Sequence, residues 1–143
     1  MILPDANVLL YAYDSSSPHH DKAKAWWEHV LNDRHPVLLC WPIVGAFLRI
    51  STNPRLLRSP FPLNEAVSIV EEWLGRSCVQ VVGPGASYWK LLQKMMAEGQ
   101  ARGPLISDAQ LAAQALEQGA RLASTDQDFA RFPSLDWYNP LKD

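Results

Sequence analysis

The chain has 143 residues, of which 48% are hydrophobic and 20% charged, the balance of one globular domain with a full core. Its formal net charge of −2 excludes a uniformly cationic nucleic-acid coat but leaves room for a local basic surface. Cys40 and Cys78 have neither zinc-site spacing nor a disulfide framework. There is no basic signal-peptide segment and no apolar run of membrane-spanning length, so we expect a single cytoplasmic domain over residues 1–143, with no membrane partner.

Short apolar runs alternate with helical patterns along the chain. Strands are predicted over residues 2–4, 37–40, 79–82 and 121–124, with an edge strand at 135–137. Helices are predicted between them, beginning near Asn7, Pro18, Pro42, Asn64, Ser87 and Ser107. This alternation indicates an α/β fold, in which a mostly parallel sheet of four or five strands is covered by helices on both faces.

Carboxylates follow two strands and open one helix. Asp5 ends the first strand, Asp126 and Asp128 follow the strand at 121–124, and Asp108 starts the helix that Ser107 is expected to cap. Because the carboxyl ends of parallel strands share one edge of a sheet, we expect these acids to meet there. Each acid taken singly is explained equally well as a cap or a turn residue, but together they need a cation to stay ionised.

The ligand types favour Mg²⁺ or Mn²⁺ over zinc, since the acids have no histidine or cysteine partner. We also expect the helix N-terminus to keep Asp108 ionised, as a metal ligand must be. A site of this kind favours hydrolysis of phosphodiester bonds by a metal-activated water.

A basic segment could carry the substrate. Residues 34–64 contain no Asp or Glu, and Arg49, Arg55 and Arg58 surround the loop after the third predicted helix. This pattern predicts a phosphate-contacting surface, to which Arg102 in the loop before Asp108 would add. A solvated face, or a face for an acidic protein partner, is the alternative.

Six tryptophans are many for this length. Trp26, Trp73 and Trp89 fit the apolar stripes of helices and are predicted to lie in the core. Trp41, beside Pro42, is the tryptophan that we consider for stacking on a nucleic-acid base.

Several sequence blocks resemble the signature of PIN-domain ribonucleases. They are residues 5–10 (DANVLL), 107–113 (SDAQLAA) and 124–129 (STDQDF). Residues 47–55 and the closing segment 132–141 are similar to a subgroup of VapC toxins of bacterial toxin–antitoxin systems that is abundant in mycobacteria. The resemblance implies a three-layer α/β/α PIN-like fold and Mg²⁺- or Mn²⁺-dependent endoribonuclease activity on an RNA such as tRNA or rRNA. It also implies a homodimer and inhibition by a VapB-like antitoxin.

Carried over by position, the resemblance makes Asp5, Asp108 and Asp126 metal ligands and catalytic residues. Asp128 would be a further acid of the site and Thr125 a polar neighbour. There is one departure: many PIN nucleases carry a glutamate early in the third helix, where this chain has Gly45 or Ala46. The missing carboxylate favours a single-metal site over a two-metal site.

Two other functions remain open from the sequence. One is a PIN-like module with little or no catalysis that binds RNA or a partner, and the other is a metal-dependent phosphatase of small substrates. The first predicts RNA binding through the arginines without cleavage, and the second predicts turnover of phosphomonoesters without RNA preference.

Overall fold

A five-stranded sheet, in which every pairing is parallel, forms the centre of the computed structural model, which describes residues 1–142. The strands are β1 (Ile2–Pro4), β2 (Val37–Cys40), β3 (Val79–Val82), β4 (Arg121–Ala123) and β5 (Trp137–Tyr138). Their order is β3-β2-β1-β4-β5, so β1 and β4 lie side by side within the sheet.

Six α-helices cover the sheet within the described residues. They are α1 (Ala6–Tyr13), α2 (His20–Asn32), α3 (Trp41–Ser51), α4 (Leu63–Leu74), α5 (Tyr88–Gly99) and α6 (Leu105–Gln118), and a short 3₁₀ helix follows at Gln127–Arg131. Helix α1 packs on α2 and α3, α3 packs on α4, and α5 packs on α6. The predicted three-layer α/β/α arrangement is confirmed.

The core forms where apolar runs meet the helices. All of β2 is buried, as expected for a continuous apolar run in a parallel strand, and Cys40 at its end is a buried free thiol. An aromatic cluster fills the space among α1, α2, α3 and α4. Trp73 is fully buried there, and the ring centroids of Phe47 and Tyr13 lie 4.7 and 5.7 Å from the centroid of its indole.

Every helix of residues 1–142 is too short or too polar to span a membrane.

Two helices begin earlier than predicted. Helix α6 starts at Leu105 with Pro104 at the N-cap position, so the expected cap at Ser107 is wrong. Helix α4 likewise starts at Leu63 after Pro62, rather than at a cap formed by Asn64. In both cases a proline, with φ fixed at −59°, leads the chain into the helix and replaces the side-chain cap that the sequence pattern favoured.

Two further expectations are corrected. The edge strand lies at Trp137–Tyr138 rather than 135–137, because the Leu135 amide donates to the Phe132 carbonyl in a turn and its side chain is buried. Trp89 is not a core residue: its side chain is 64% exposed on α5. Periodicity placed Trp89 on the apolar stripe, but the buried residues of that helix are Leu92, Met95 and Gly99.

Candidate active site

The carboxyl ends of β1 and β4 bring two polar segments together. Asp5 follows directly after Pro4, and its amide donates to the carbonyl of Ala123 at 2.9 Å. Ser124 begins the polar segment that follows β4. The two segments are 119 residues apart in the chain, and their meeting at one sheet edge is the relationship that the parallel-strand pattern predicted.

Three carboxylates form what we call the acid cluster: Asp108, Asp126 and Asp128. Each offers an oxygen that lies within 4.8 Å of the oxygens offered by the other two. Asp108 lies in the first turn of α6, while Asp126 caps the 3₁₀ helix by accepting the Asp128 amide at 2.9 Å. Asp108 and Asp126 are half-buried and Asp128 is exposed, so a cation could reach the cluster from solvent.

Asp5 lies beside the acid cluster and is held by two hydrogen bonds. Its Oδ1 accepts from the Ala6 amide at 2.8 Å, and its Oδ2 accepts from the Ser124 hydroxyl at 2.7 Å. The same hydroxyl oxygen accepts from the Asp126 amide at 3.1 Å and from Asn7 Nδ2 at 3.2 Å. Asp5 is therefore tied to the segment that carries Asp126 without being one of the three clustered carboxylates.

Sequence reasoning missed Ser124 and Asn7. It named Thr125 instead as the polar neighbour of the site. In the structure the Thr125 amide donates to Asn7 Oδ1 at 3.4 Å. Ser124 is fully buried, and a buried serine next to a candidate acid is the signal that could have drawn attention to it. Its partners, however, become visible only when the two strand ends are placed side by side.

Charge crowding shifts the pKa of two of these carboxyls. Burial, followed by the negative charges of Asp126, Asp5 and Asp128, raises the pKa of Asp108 to about 6. Burial also raises the pKa of Asp5, against the lowering effect of its hydrogen bonds to Ser124 and Ala6. The N-terminus of α6 thus does not hold the pKa of Asp108 at its ordinary value, although a pKa of about 6 still leaves this carboxyl mostly ionised at pH 7.

A cavity of about 660 Å³ opens beside the acids. Its wall includes Asp5 and Asp108, together with Trp41 and Arg49 from α3. Further lining residues follow β3 or belong to α5 and α6, among them Gly83, Pro84, Tyr88, Gln110 and Gln114. This volume lies within the range of roughly 300–1,000 Å³ that is usual for ligand sites.

The four arginines predicted to bind RNA do not lie together on one part of the surface. Arg49 lines the cavity, whereas Arg55, Arg58 and Arg102 are exposed outside its lining. Within residues 1–142, no carboxylate forms an ion pair with any of the four. Their guanidinium groups are therefore available for an anionic ligand.

The two positions considered for the missing glutamate differ in their relation to the cavity. Ala46 lines the cavity with Asp5 and Asp108, whereas Gly45 is exposed and outside the lining. Ala46 is therefore the position from which an acidic side chain would be nearer to Asp5 and Asp108.

A three-layer α/β/α fold with an acid cluster at the carboxyl edge of its sheet is the arrangement of a PIN domain. The model of the PIN domain family matches residues 2–135. The chain is 37% identical to Ribonuclease VapC33 of Mycobacterium tuberculosis, over 100% of both chains. The chain belongs to the PIN domain family and, within it, to the VapC ribonucleases.

Solved structures agree on the fold. VapBC-1 from nontypeable Haemophilus influenzae has a TM-score of 0.70 at 18% identity, with 99% of this chain and 100% of that chain covered. VapC20 of Mycobacterium tuberculosis, described as a toxin that cleaves the sarcin–ricin loop, has a TM-score of 0.66 at 18% identity, with 91% and 93% covered.

Proposed function

We propose that this chain is the toxin of a toxin–antitoxin system and hydrolyses RNA as a divalent-metal-dependent endoribonuclease. The observation that carries the proposal is the acid cluster, with three carboxylate oxygens within 4.8 Å of one another beside a cavity. Full-length similarity to a protein named Ribonuclease VapC33 supports RNA as the substrate class.

The acid cluster fits a hard divalent cation. All of its ligands are carboxylate oxygens, which suit Mg²⁺ and Mn²⁺, and the pKa of Asp108 is raised by burial and by the negative charges of Asp126, Asp5 and Asp128. Asp108, Asp126 and Asp128 would hold the ion, and the short side chain at Ala46 favours one ion over two. A bound ion would activate water and stabilise negative charge on the phosphate.

The chain's own residues prepare the site for RNA. Ser124 fixes the orientation of Asp5, so that Asp5 presents its negative charge next to the cluster. Arg49 lines the same cavity and would bind a phosphate of the strand. Arg55, Arg58 and Arg102 would extend the phosphate contacts over the surface. Such contacts bind RNA without regard to its base sequence.

The partners follow from the same proposal. A VapB-like antitoxin is supported by the structural likeness to the protein described as VapBC-1. A homodimer and a cytoplasmic location, where tRNA or rRNA is the available substrate, complete the proposal.

The test is cleavage of purified RNA by the native protein in Mg²⁺ or Mn²⁺, with an EDTA control. Asp108→Asn should abolish cleavage and also abolish the rise in melting temperature that the cation gives the native protein. Asp21→Asn is the matched control, because Asp21 also lies in the first turn of a helix but outside the cavity. Full cleavage by Asp108→Asn would contradict the proposal.

A further inference from the structure

Trp41 is placed differently from the buried tryptophans of this protein. Its backbone follows Cys40, the buried last residue of β2, and begins α3. Its side chain is nevertheless 59% exposed, whereas Trp27 and Trp73 are buried in the core. The sheet therefore fixes the position of the residue while an indole face is left open to solvent.

The open indole belongs to the wall of the cavity that Asp5 and Asp108 also line. Trp41, Arg49, Asp5 and Asp108 all line it. Trp41 and Arg49 lie eight residues apart on α3, which is a rise of about 12 Å along the helix. The cavity thus carries an aromatic surface and an unpaired guanidinium along one helix, with the acids beside them.

This combination matches the parts of a nucleotide. A base stacks on a flat aromatic ring whatever its identity, and a guanidinium binds the phosphate that follows it. A strand whose phosphodiester lies at the acids must place its neighbouring nucleotide along the same cavity. A base inside a duplex is stacked on both faces and cannot lie on an indole, so the nucleotide in contact with Trp41 must be unpaired.

We propose that Trp41 is a stacking site for one unpaired RNA base next to the phosphodiester that is cleaved. The inference rests on the proposed function and deepens it by naming a residue of this chain that binds the substrate beside the acids. Trp41 acts here as a binding residue, since the acids remain the residues at the reacting phosphate.

Binding measured without cleavage tests the inference. The probe is a fluorescein-labelled single-stranded RNA of roughly 12 nucleotides, within the usual size of single-strand sites, and its fluorescence anisotropy is followed in EDTA. Trp41→Ala should weaken binding about tenfold, and Trp41→Phe should keep most of the affinity because a phenyl ring also stacks. Trp89→Ala, which removes an equally exposed tryptophan outside the cavity, should bind like the native protein.

A second series places the contact on one base. Single abasic nucleotides are introduced along the RNA, and one position should weaken binding to the native protein but not to Trp41→Ala. The same RNA closed into a duplex should bind the native protein more weakly than the single strand does.

The outcomes separate this inference from the nuclease proposal. Native-like binding by Trp41→Ala, or no binding of single-stranded RNA by the native protein, would overturn the stacking site. If the native protein bound a peptide in this cavity, lost that binding in Trp41→Ala and did not bind RNA, the stacking site would also be overturned. The cavity would then be a protein-docking groove. Failure to cleave RNA in Mg²⁺ and Mn²⁺, with Trp41-dependent binding intact, would remove the nuclease function and leave the stacking site standing.

Discussion

The Ser124 hydroxyl donates to Asp5 Oδ2 at 2.7 Å, across the two strand ends that form the site. The hydroxyl can give one proton and accept two, and all three capacities are used, since it also accepts from Asn7 and the Asp126 amide. A single buried atom thereby sets the position of two acids that the chain keeps more than a hundred residues apart.

Ser124→Ala should damage both the site and the fold. The loss leaves buried groups without partners, which costs about 1–3 kcal/mol in the free energy of unfolding. It also removes a bond that lowers the pKa of Asp5, so this pKa should rise further. We expect cation affinity to fall roughly 10- to 100-fold, the usual effect of losing a residue that orients a metal site.

Ser51→Ala is the matched control for that variant. Ser51 is also fully buried, but its hydroxyl has no hydrogen-bond partner among the described residues. Calorimetric titration with Mn²⁺ and urea unfolding should leave Ser51→Ala close to the native protein. Equal effects of the two substitutions would show that burial of a serine, rather than its bond to Asp5, matters.

The stability of the metal-free protein should depend on pH through Asp108. Its pKa is about 6 in the folded chain against an ordinary value of 3.8, so between these values the folded chain keeps a proton that the unfolded chain releases. The contribution of Asp108 to stability should therefore be largest below pH about 4, fall as the pH rises to about 6, and then stay level. Solvent screening keeps the contribution small, at about 1 kcal/mol.

Asp108→Asn removes this dependence and shows its sign. In EDTA at pH 7 the variant should melt about 2–4 °C above the native protein, the shift that ~1 kcal/mol produces in a chain of this size. At pH 4 the two should melt together. Added Mg²⁺ should reverse the order at pH 7, because it stabilises only the native site. If the difference between the two melting temperatures in EDTA did not grow from pH 4 to pH 7, the raised pKa of Asp108 would be contradicted.

Tyr13→Phe should destabilise the fold without changing the site. Tyr13 Oη accepts from the indole nitrogens of Trp73 at 2.7 Å and Trp27 at 3.1 Å, and both indoles are buried. Removing the hydroxyl leaves two buried donors unpaired, which we expect to cost about 2–4 kcal/mol in urea unfolding. Tyr11→Phe on the same helix is the control, and an equal loss there would refute the role of the shared acceptor.

The fold was predictable because its strands are short apolar runs between clear helical stripes. The boundaries that failed, at Leu63 and Leu105, failed because a proline before each helix competes with the polar caps that the pattern favours. Trp89 failed for a different reason: helical spacing places a residue on a stripe, but the packing of the neighbouring helix decides how far the buried face extends.

The acids of the site were predictable for a physical reason as well. Asp108, Asp126 and Asp128 follow from the rule that parallel strands deliver their ends to one edge, and the structure brings them together. The hydrogen bonds of Ser124 could not be predicted, because they join segments that are far apart in the chain. Separation along the chain does not show whether two segments are in contact. The choice between Gly45 and Ala46 also needed the structure, since neighbours on a helix point roughly 100° apart.

Ala46→Glu should restore a carboxylate to the cavity and tighten cation binding. Ala46 lines the cavity with Asp5 and Asp108, so a glutamate there adds an oxygen ligand near the acid cluster. We expect Mn²⁺ to bind roughly tenfold more tightly in calorimetric titration, as each added anionic ligand strengthens a hard-cation site. In EDTA the same variant should be less stable than the native protein, because a further like charge joins the crowded carboxylates.

Gly45→Glu is the control, because it introduces the same charge one residue away on the same helix. Gly45 is exposed, and a Cβ there meets no atom within 4 Å, so the substitution should fold without strain and leave Mn²⁺ affinity unchanged. Tighter binding in Ala46→Glu alone would place the missing ligand at that position. Equal affinities in the two variants would show instead that the acid cluster binds its cation without any contribution from α3.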